Sequence, residues 1–285
     1  MLASSKYISF RIYLLGFLAL CAVVAGLALA RLPDGRLHVY FLDVGQGDAI
    51  LIRAPDGRQV LVDGGPSPAA LLDELGSLLP FWDRTLDMVV LTHPDTDHMN
   101  GLLPLFERYR IATVLDTVQD GGEAPAWSAA LAAHRGQRIT ARRGMRLVLD
   151  DLRITVLHPA EPLLPETSDN AASLVLRLDY GEISLLLMGD AEQATEEALL
   201  AAGQPLQADV LKVAHHGSGG GTSAAFLAAV QPQLAVIQVG ADNRFGHPHP
   251  DTLARLAQAQ VLRTDQDGRI EVISDGRRLW IRVGH

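Results

Sequence analysis

The chain has very little cysteine. Cys21 is the single cysteine among 285 residues, so no intrachain disulfide can form and a fold stapled by disulfides is excluded. The sequence also lacks low-complexity segments and sequence repeats, which argues against disordered and solenoid proteins. Apolar residues make up 48% of the chain. The sequence can therefore bury a large core in a domain of about 250 residues.

Basic residues are scarce beyond the first 36 positions. Residues 37–285 carry 20 Lys or Arg against 32 Asp or Glu, a net charge of −12 with neutral histidines. A field of that sign repels polyanions, so composition does not predict tight, sequence-independent binding of nucleic acid. Divalent cations held at an acidic site would offset part of this charge locally.

Long apolar runs are limited to one, at residues 12–30. Its 19 residues, at about 1.5 Å per residue of helix, roughly match a hydrocarbon core. This predicts a single-pass anchor in the cytoplasmic membrane, and the alternative is a secretory signal peptide cleaved near Ala30. Basic residues flank the run almost equally, and we favour an extracytoplasmic position for the domain beyond it. We expect residues 1–36 to be anchor and linker, and residues 37–285 to form one domain.

Strand-like runs and helical patterns alternate after residue 37. Apolar runs predict strands at 37–42, 49–53, 59–62, 88–92, 152–157, 173–178, 183–188, 210–213 and 234–239. Helical patterns fall at 68–79, 192–201, 223–230 and 251–258. This order is typical of an α/β domain in which two sheets pack face to face with helices outside.

The six residues His93-Pro94-Asp95-Thr96-Asp97-His98 concentrate metal-ligand side chains directly after an apolar strand. Imidazole and carboxylate groups both donate lone pairs to divalent cations, and one loop can surround a cation with little further ordering of the chain. This density favours a metal site over a solvated polar loop. Two cations would need a bridging ligand from elsewhere. Asp190, which follows a glycine at the end of an apolar run, is the candidate.

These motifs resemble those of the metallo-β-lactamase superfamily, and in particular the hydrolase domain of ComEC-type DNA-uptake proteins. Besides the hexapeptide, the matching segments in chain order are 41–49 (FLDVGQGDA), 61–65 (LVDGG), 187–190 (LMGD), 211–218 (LKVAHHGS) and 245–250 (FGHPHP). The resemblance covers residues 37–285. It implies a four-layer αββα sandwich and a hydrolase that uses two divalent metal ions, Zn²⁺ or Mn²⁺.

The resemblance also implies a set of metal ligands. The first metal would be bound by His93, Asp95 and Asp190, and the second by Asp97, His98, Asp190 and His216. Asp95 stands where many members of the superfamily have histidine, and no histidine occurs around residues 168–171, where another is often found. The ComEC-type group shares the aspartate. The first site is therefore rich in oxygen ligands, which favours harder cations such as Mn²⁺ beside Zn²⁺.

Three further residues are candidates for catalytic roles. His215 would contact the substrate phosphate, although the sequence permits His215 and His216 to exchange roles. Asp63 would orient ligand imidazoles through hydrogen bonds, and the alternative is an ordinary Asp-Gly turn. His247 would be a late ligand or a substrate contact. Asp48 either lines the site or only shapes a glycine-rich turn.

The expected reaction is hydrolysis of a phosphodiester by hydroxide formed at the metal. The resemblance implies DNA at the cell envelope as substrate, in a competence-type uptake process. The sequence lacks a long series of apolar segments that could form a channel. The chain would therefore be a stand-alone hydrolase, a fragment of a larger reading frame, or the partner of a separate channel protein. The alternatives are an envelope phosphoesterase for a small substrate, such as a choline-phosphate ester, and a noncatalytic anchored interaction module.

Overall fold

The computed structural model describes residues 13–24, 26, 33–118, 124–160 and 168–284. The chain divides into two units, Met1–Asp34 and Gly35–His285. In the first unit, residues 13–24 are helical, and we label them α1. Among the described residues, no helix combines the length and apolarity needed to cross a membrane. The predicted spanning helix is therefore not found there, and the predicted cleavage position near Ala30 lies outside the described residues.

The second unit contains two β-sheets among its described residues. The strands of the first sheet are β1 (Leu37–Phe41), β2 (Ile50–Arg53), β3 (Gln59–Val62), β4 (Thr85–Val90), β5 (Arg110–Asp116), β6 (Gln137–Thr140), β14 (Arg269–Ser274) and β15 (Leu279–Gly284). Their spatial order is β15-β14-β1-β2-β3-β4-β5-β6. β3, β4, β5 and β6 run parallel to one another, and the other neighbours are antiparallel.

The second sheet is built from the middle and later parts of the chain. Its strands are β7 (Arg146–Leu149), β8 (Leu152–His158), β9 (Val175–Tyr180), β10 (Ile183–Leu187), β11 (Val210–Lys212), β12 (Leu234–Ile237) and β13 (Gln260–Arg263). Their spatial order is β13-β12-β11-β10-β9-β8-β7. β10 to β13 run parallel to one another.

Helices connect the strands, and several of them cover the outer faces of the two sheets. They are α2 (Pro68–Leu78), α3 (Thr96–Met99), α4 (Leu105–Arg108), α5 (Pro125–Ala133), α6 (Asp169–Ala172), α7 (Gln193–Ala201), α8 (Ala224–Val230), α9 (Pro250–Arg255) and α10 (Thr264–Asp267), with a 3₁₀ turn at Ala214–Gly217. α2 shows why such a helix starts where it does. Ser67 Oγ accepts a hydrogen bond from Ala70 N at 3.3 Å, and proline occupies the first helical position.

Three apolar clusters separate four layers. Alternate residues of β1 show the arrangement, because successive strand side chains point to opposite faces. Val39 and Phe41 pack into the cluster between the two sheets, whereas Tyr40 packs toward α2 and α5. A third cluster, which includes Phe226 of α8, lies between the second sheet and its helices. The predicted two-sheet α/β sandwich is confirmed.

All the predicted strands are present, but the sequence patterns missed several elements. β5, β6, β7, β13, β14, β15 and α5 were not predicted. Many of these strands are half-exposed and polar, as in the Gln-Arg-Ile-Thr sequence of β6. A search for apolar runs does not detect a sheet edge of this kind, because its pairing depends on a distant neighbouring strand.

Candidate metal centre

Parallel strands of the second sheet end at the same level. Three predicted site residues follow their carboxyl ends. Leu187 of β10 pairs with Lys212 of β11, which pairs with Val236 of β12. Asp190 follows β10, and the His215-His216 pair follows β11. The hexapeptide follows β4 of the first sheet. Loops after aligned strand ends are positions where a rigid scaffold holds functional side chains.

Asp190 lies at the middle of a cluster that also contains His93, Asp97, His98 and His216. Its Oδ1 is 3.3 Å from His98 Nε2, and its Oδ2 lies 3.6 Å from His216 Nε2 and 3.9 Å from His93 Nε2. All four side chains are buried. Asp97 Oδ2 is 3.3 Å from His216 Nε2. Five of the six predicted metal ligands therefore surround one small volume.

The unpaired atoms of this cluster test whether the residues suit a cation. The Nε2 atoms of His93, His98 and His216 and the Oδ1 atom of Asp190 are buried and make no hydrogen bond. Buried polar atoms are normally paired, and leaving them unpaired is costly. Lone pairs on imidazole and carboxylate are suitable donors for a divalent metal. The residues fit the metal site that was expected from the sequence.

Four overlapping groups of possible ligands occur among the described residues. They are His93, His98 and Asp190; Asp97, His98 and His216; Asp48, Asp190 and His216; and Asp48, Asp63 and His98. Asp95 belongs to none of these groups, although its Oδ2 lies 3.5 Å from His93 Nε2. The Asp95 side chain is 41% exposed. Its role as a ligand, like the division of ligands between two metals, stays a prediction.

Asp63 positions the imidazoles of the hexapeptide. Its Oδ2 accepts hydrogen bonds from His98 Nδ1 at 2.8 Å and from Thr92 Oγ1 at 2.7 Å, and its Oδ1 accepts from Thr92 N at 2.8 Å. Thr92 Oγ1 lies 3.0 Å from His93 Nδ1 and is placed to accept its proton. In their neutral forms, both rings therefore carry the proton on Nδ1, and the Nε2 atoms that face Asp190 are the ones with lone pairs. This geometry supports the orienting role over an ordinary turn.

A buried ion pair between Asp48 and Lys212 lies beside His216. His216 Nδ1 donates to the carbonyl oxygen of Gln238 at 2.9 Å and lies 3.3 Å from Asp48 Oδ1. Asp48 Oδ2 is paired with Lys212 Nζ, which also donates to Gly189 O at 3.1 Å. Lys212 is fully buried. Asp48 thus lines the site rather than only shaping a turn.

Lys212 was not predicted as part of the site. The available signal was a lysine inside the apolar run Val210-Leu211-Lys212-Val213. Lysine is almost never fully buried without a partner, so its position in a buried strand indicates a carboxylate nearby. The sequence alone did not identify Asp48 as that carboxylate.

The two adjacent histidines take different places. His216 faces Asp97 and Asp190, whereas His215 lies at the rim with its Nε2 3.7 Å from Asp190 Oδ2. His215 Nδ1 lies 3.1 Å from Glu192 Oε1. Both histidines have left-handed backbones, with φ of 47° and 52°, a conformation that is uncommon for residues other than glycine and clusters at functional sites. This backbone directs two neighbouring rings toward the same carboxylate.

His247 is near the cluster but outside the ligand groups. Its ring lies 5.5 Å from the His215 ring, and its Nδ1 is buried without a hydrogen bond. Burial, together with the nearby His215 and His216, lowers the pKa of His247. The neutral ring is therefore favoured. Its role as a late ligand or a substrate contact stays a prediction.

The charged groups of the cluster strongly shift the pKa values of its side chains. Burial opposes ionisation of Asp190, but His98 and His216 outweigh burial and hold the pKa of Asp190 well below its usual value. Burial likewise opposes a charged His98, yet Asp190 and Asp63 raise the pKa of His98 well above its usual value. At Asp48, Lys212 and His216 overcome burial and lower the pKa to about 2. The carboxylates therefore attract protons to the nitrogens that a cation would use.

We expect cation binding to release protons and to tighten with rising pH. Asp190 and Asp48 overcome burial and raise the pKa of His216 to about 9, so below that pH a proton competes for the imidazole. The affinity should rise by about tenfold per pH unit for each proton displaced, and the contribution of His216 should level off above about pH 9. Calorimetric titration with Mn²⁺ in two buffers of different protonation enthalpy measures the release. Binding heats that are equal in both buffers would contradict it.

Comparison with known proteins identifies the family. Residues 42–240 match the metallo-beta-lactamase superfamily. The chain belongs to this superfamily. The match spans the first sequence motif, the hexapeptide, Asp190 and the histidine pair. The ComEC-type resemblance is confirmed by relatives of this chain, among them a competence protein, and the superfamily is one of metal-dependent hydrolases.

The relatives are longer proteins. ComE operon protein 3 of Bacillus subtilis is 34% identical over 88% of this chain and 35% of its own length. Competence protein ComA of Neisseria gonorrhoeae is 31% identical over 84% of this chain and 32% of its own length. The chain spans about a third of each. Among solved structures, the metallo-beta-lactamase fold protein YhfI of B. subtilis has a TM-score of 0.55 at 15% identity, covering 87% of this chain and 100% of YhfI, which shows the fold alone.

Proposed function

We propose that this chain is a metal-dependent phosphodiesterase that cleaves DNA at the cell envelope during uptake. The observation that carries the proposal is the convergence of three unpaired imidazole nitrogens on Asp190. The similarity to a competence protein supports DNA as the substrate. Two cations, Zn²⁺ or Mn²⁺, are the proposed cofactors.

The proposed ligands form two sets, one for each cation, and both sets include Asp190. His93, Asp95 and Asp190 would hold one cation, and Asp97, His98, Asp190 and His216 the other. When bound, such cations acidify water and neutralise charge on phosphate oxygens. Asp63, Thr92 and Gln238 keep the imidazoles in the tautomer that a cation needs.

His215 is placed to act on the substrate. Its Nε2 faces Asp190 at the rim of the cluster, and its side chain is 26% exposed. Glu192 lies beside Nδ1 and holds the ring in this orientation. In its protonated form, Nε2 can donate a hydrogen bond to a nonbridging phosphate oxygen or a proton to the leaving oxygen as the P–O bond breaks.

A substrate panel tests this function. The full chain is incubated with Mn²⁺ or Zn²⁺ and with single-stranded DNA, double-stranded DNA and glycerophosphocholine. We expect cation-dependent cleavage of DNA that is stopped by EDTA, with single strands preferred because their backbones bend more easily into a buried site. If only glycerophosphocholine is cleaved, the substrate is a small choline-phosphate ester and not DNA. The acidic composition favours this alternative. A chain that binds no cation and cleaves none of them would be an interaction module.

The location and the partner are also proposals. The apolar run at residues 12–30 supports a single membrane anchor with the catalytic unit outside the cytoplasm, and secretion after cleavage near Ala30 is the alternative. A separate channel protein would then carry the uncut strand. Protease treatment of spheroplasts separates these locations. An anchored external unit stays with the spheroplasts and is digested, whereas a secreted unit is found in the fluid released from the cells.

A further inference from the structure

A rigid loop beside the metal centre presents an aromatic side chain to solvent. Asn243 holds this loop: its Nδ2 donates to Gly240 O at 2.9 Å and to His247 O at 2.7 Å, and its Oδ1 accepts from Phe245 N at 3.2 Å and His247 N at 3.0 Å. Gly246 turns the chain with φ +72°. Four hydrogen bonds from one side chain fix the backbone on both sides of Phe245.

Phe245 is 57% exposed on this fixed loop. Its ring stacks on His247 with centroids 5.9 Å apart and planes 28° apart. The guanidinium carbon of Arg244, an exposed residue, lies 5.4 Å from the ring centroid. Arg244 and Phe245 therefore form an exposed cation and aromatic pair, which we call the Arg244–Phe245 platform.

The platform is connected to the cluster by a row of rings. The His247 ring lies 5.5 Å from the His215 ring, and His215 Nε2 lies 3.7 Å from Asp190 Oδ2. Phe245, His247 and His215 thus lead from solvent to the carboxylate at the middle of the metal centre. A substrate group resting on Phe245 is therefore separated by a single ring, that of His247, from a phosphate bound at His215.

We propose that a nucleobase of single-stranded nucleic acid stacks on the Arg244–Phe245 platform while a neighbouring phosphodiester lies at the metal centre. This rests on the proposed phosphodiesterase function and names the substrate form. Every base has a flat face, so stacking on an aromatic ring is independent of sequence, and arginine adds a favourable contact. Paired bases in a duplex are already stacked and do not offer that face.

The net charge of the chain favours a substrate contact that does not depend on phosphate. Residues 37–285 have a net charge of −12, which repels a phosphate backbone. Attraction through phosphate contacts is therefore limited to the bound cations and to a few basic groups. Stacking supplies affinity that does not depend on charge. A small phosphoester has no base and therefore gains no binding affinity from the platform.

The test replaces Phe245 in the full chain and measures binding and cleavage separately. A fluorescent single-stranded oligodeoxynucleotide and an abasic oligomer of equal length are the probes. Binding is followed by anisotropy with Ca²⁺ present, and cleavage with Mn²⁺. For Phe245→Ala we expect the dissociation constant for the normal oligomer to rise about 5- to 100-fold, with less than about a twofold change for the abasic oligomer. Phe245→Trp should bind the normal oligomer at least as well as the wild type.

Phe81→Ala is the matched control, because Phe81 is also highly exposed but packs on Trp82 in the loop before β4. It should bind both oligomers as the wild type does. Equal binding of the normal oligomer by Phe245→Ala and wild type, or no binding by wild type, would overturn the platform. The phosphodiesterase proposal fails on a different result, the absence of cleavage by wild type.

Discussion

Asp190→Asn is expected to abolish hydrolysis almost completely and to lower the amount of bound cation. The change keeps the shape of the side chain but removes the charge on which His93, His98, His215 and His216 converge within 3.9 Å. Metal ions contribute several kcal/mol to catalysis, and a loss of about 4 kcal/mol corresponds to a rate about 10³-fold lower. Cleavage rates and metal content by mass spectrometry measure both effects.

Asp209→Asn is the control for this substitution. Asp209 directly precedes β11 of the second sheet, and its Oδ2 accepts hydrogen bonds from Ser184 N and Oγ at the opposite end of β10. It should alter stability without altering metal content. If Asp190→Asn retained wild-type metal and activity, Asp190 would not be the shared ligand.

Lys212→Met is expected to destabilise the fold by about 3–5 kcal/mol, because it leaves the Asp48 carboxylate buried without its cation. Both side chains are almost fully buried, and Lys212 Nζ contacts Asp48 Oδ2 directly. Methionine matches the length of the lysine stem, so packing loss is small. Urea unfolding of the chain in EDTA measures the free energy of unfolding without a contribution from bound metal.

The double variant Asp48→Asn/Lys212→Met separates charge from packing. Removing both charges eliminates the unpaired carboxylate, and replacing a buried pair by neutral residues is often neutral in stability. We expect the double variant to recover most of the stability lost by Lys212→Met. A double variant as unstable as the single one would show that Lys212 acts through packing or through Gly189 instead of through Asp48.

The same pair explains a limit of the sequence patterns. Asp48 lies in a glycine-rich segment and Lys212 in an apolar strand, and nothing in either segment indicates the other. β1 is flanked by β14 and β2, and the two sheets bring the segments together. Contacts between distant segments depend on sheet order, which local periodicity does not contain.

Asp63 and Asp95 illustrate the two outcomes for the candidate residues. The sequence permits two interpretations of Asp63, an ordinary turn residue or a carboxylate that orients the imidazoles. Its hydrogen bonds to His98 and Thr92 favour the second. Asp95 was placed in the ligand set by resemblance, yet its side chain is partly turned to solvent. One side chain rotamer separates a ligand from a solvated carboxylate, and a motif does not specify rotamers.

The superfamily, the apolar strands and the ligand-rich hexapeptide follow from the amino-acid sequence alone, because they depend on neighbours along the chain. The positions of His216 facing the cluster and of His215 at its rim, and of the Lys212–Asp48 pair beside His216, follow instead from how the chain folds. Those arrangements depend on backbone directions and on pairing between distant strands. The physical reason is that a metal centre is assembled from strand ends that meet only after the two sheets have packed.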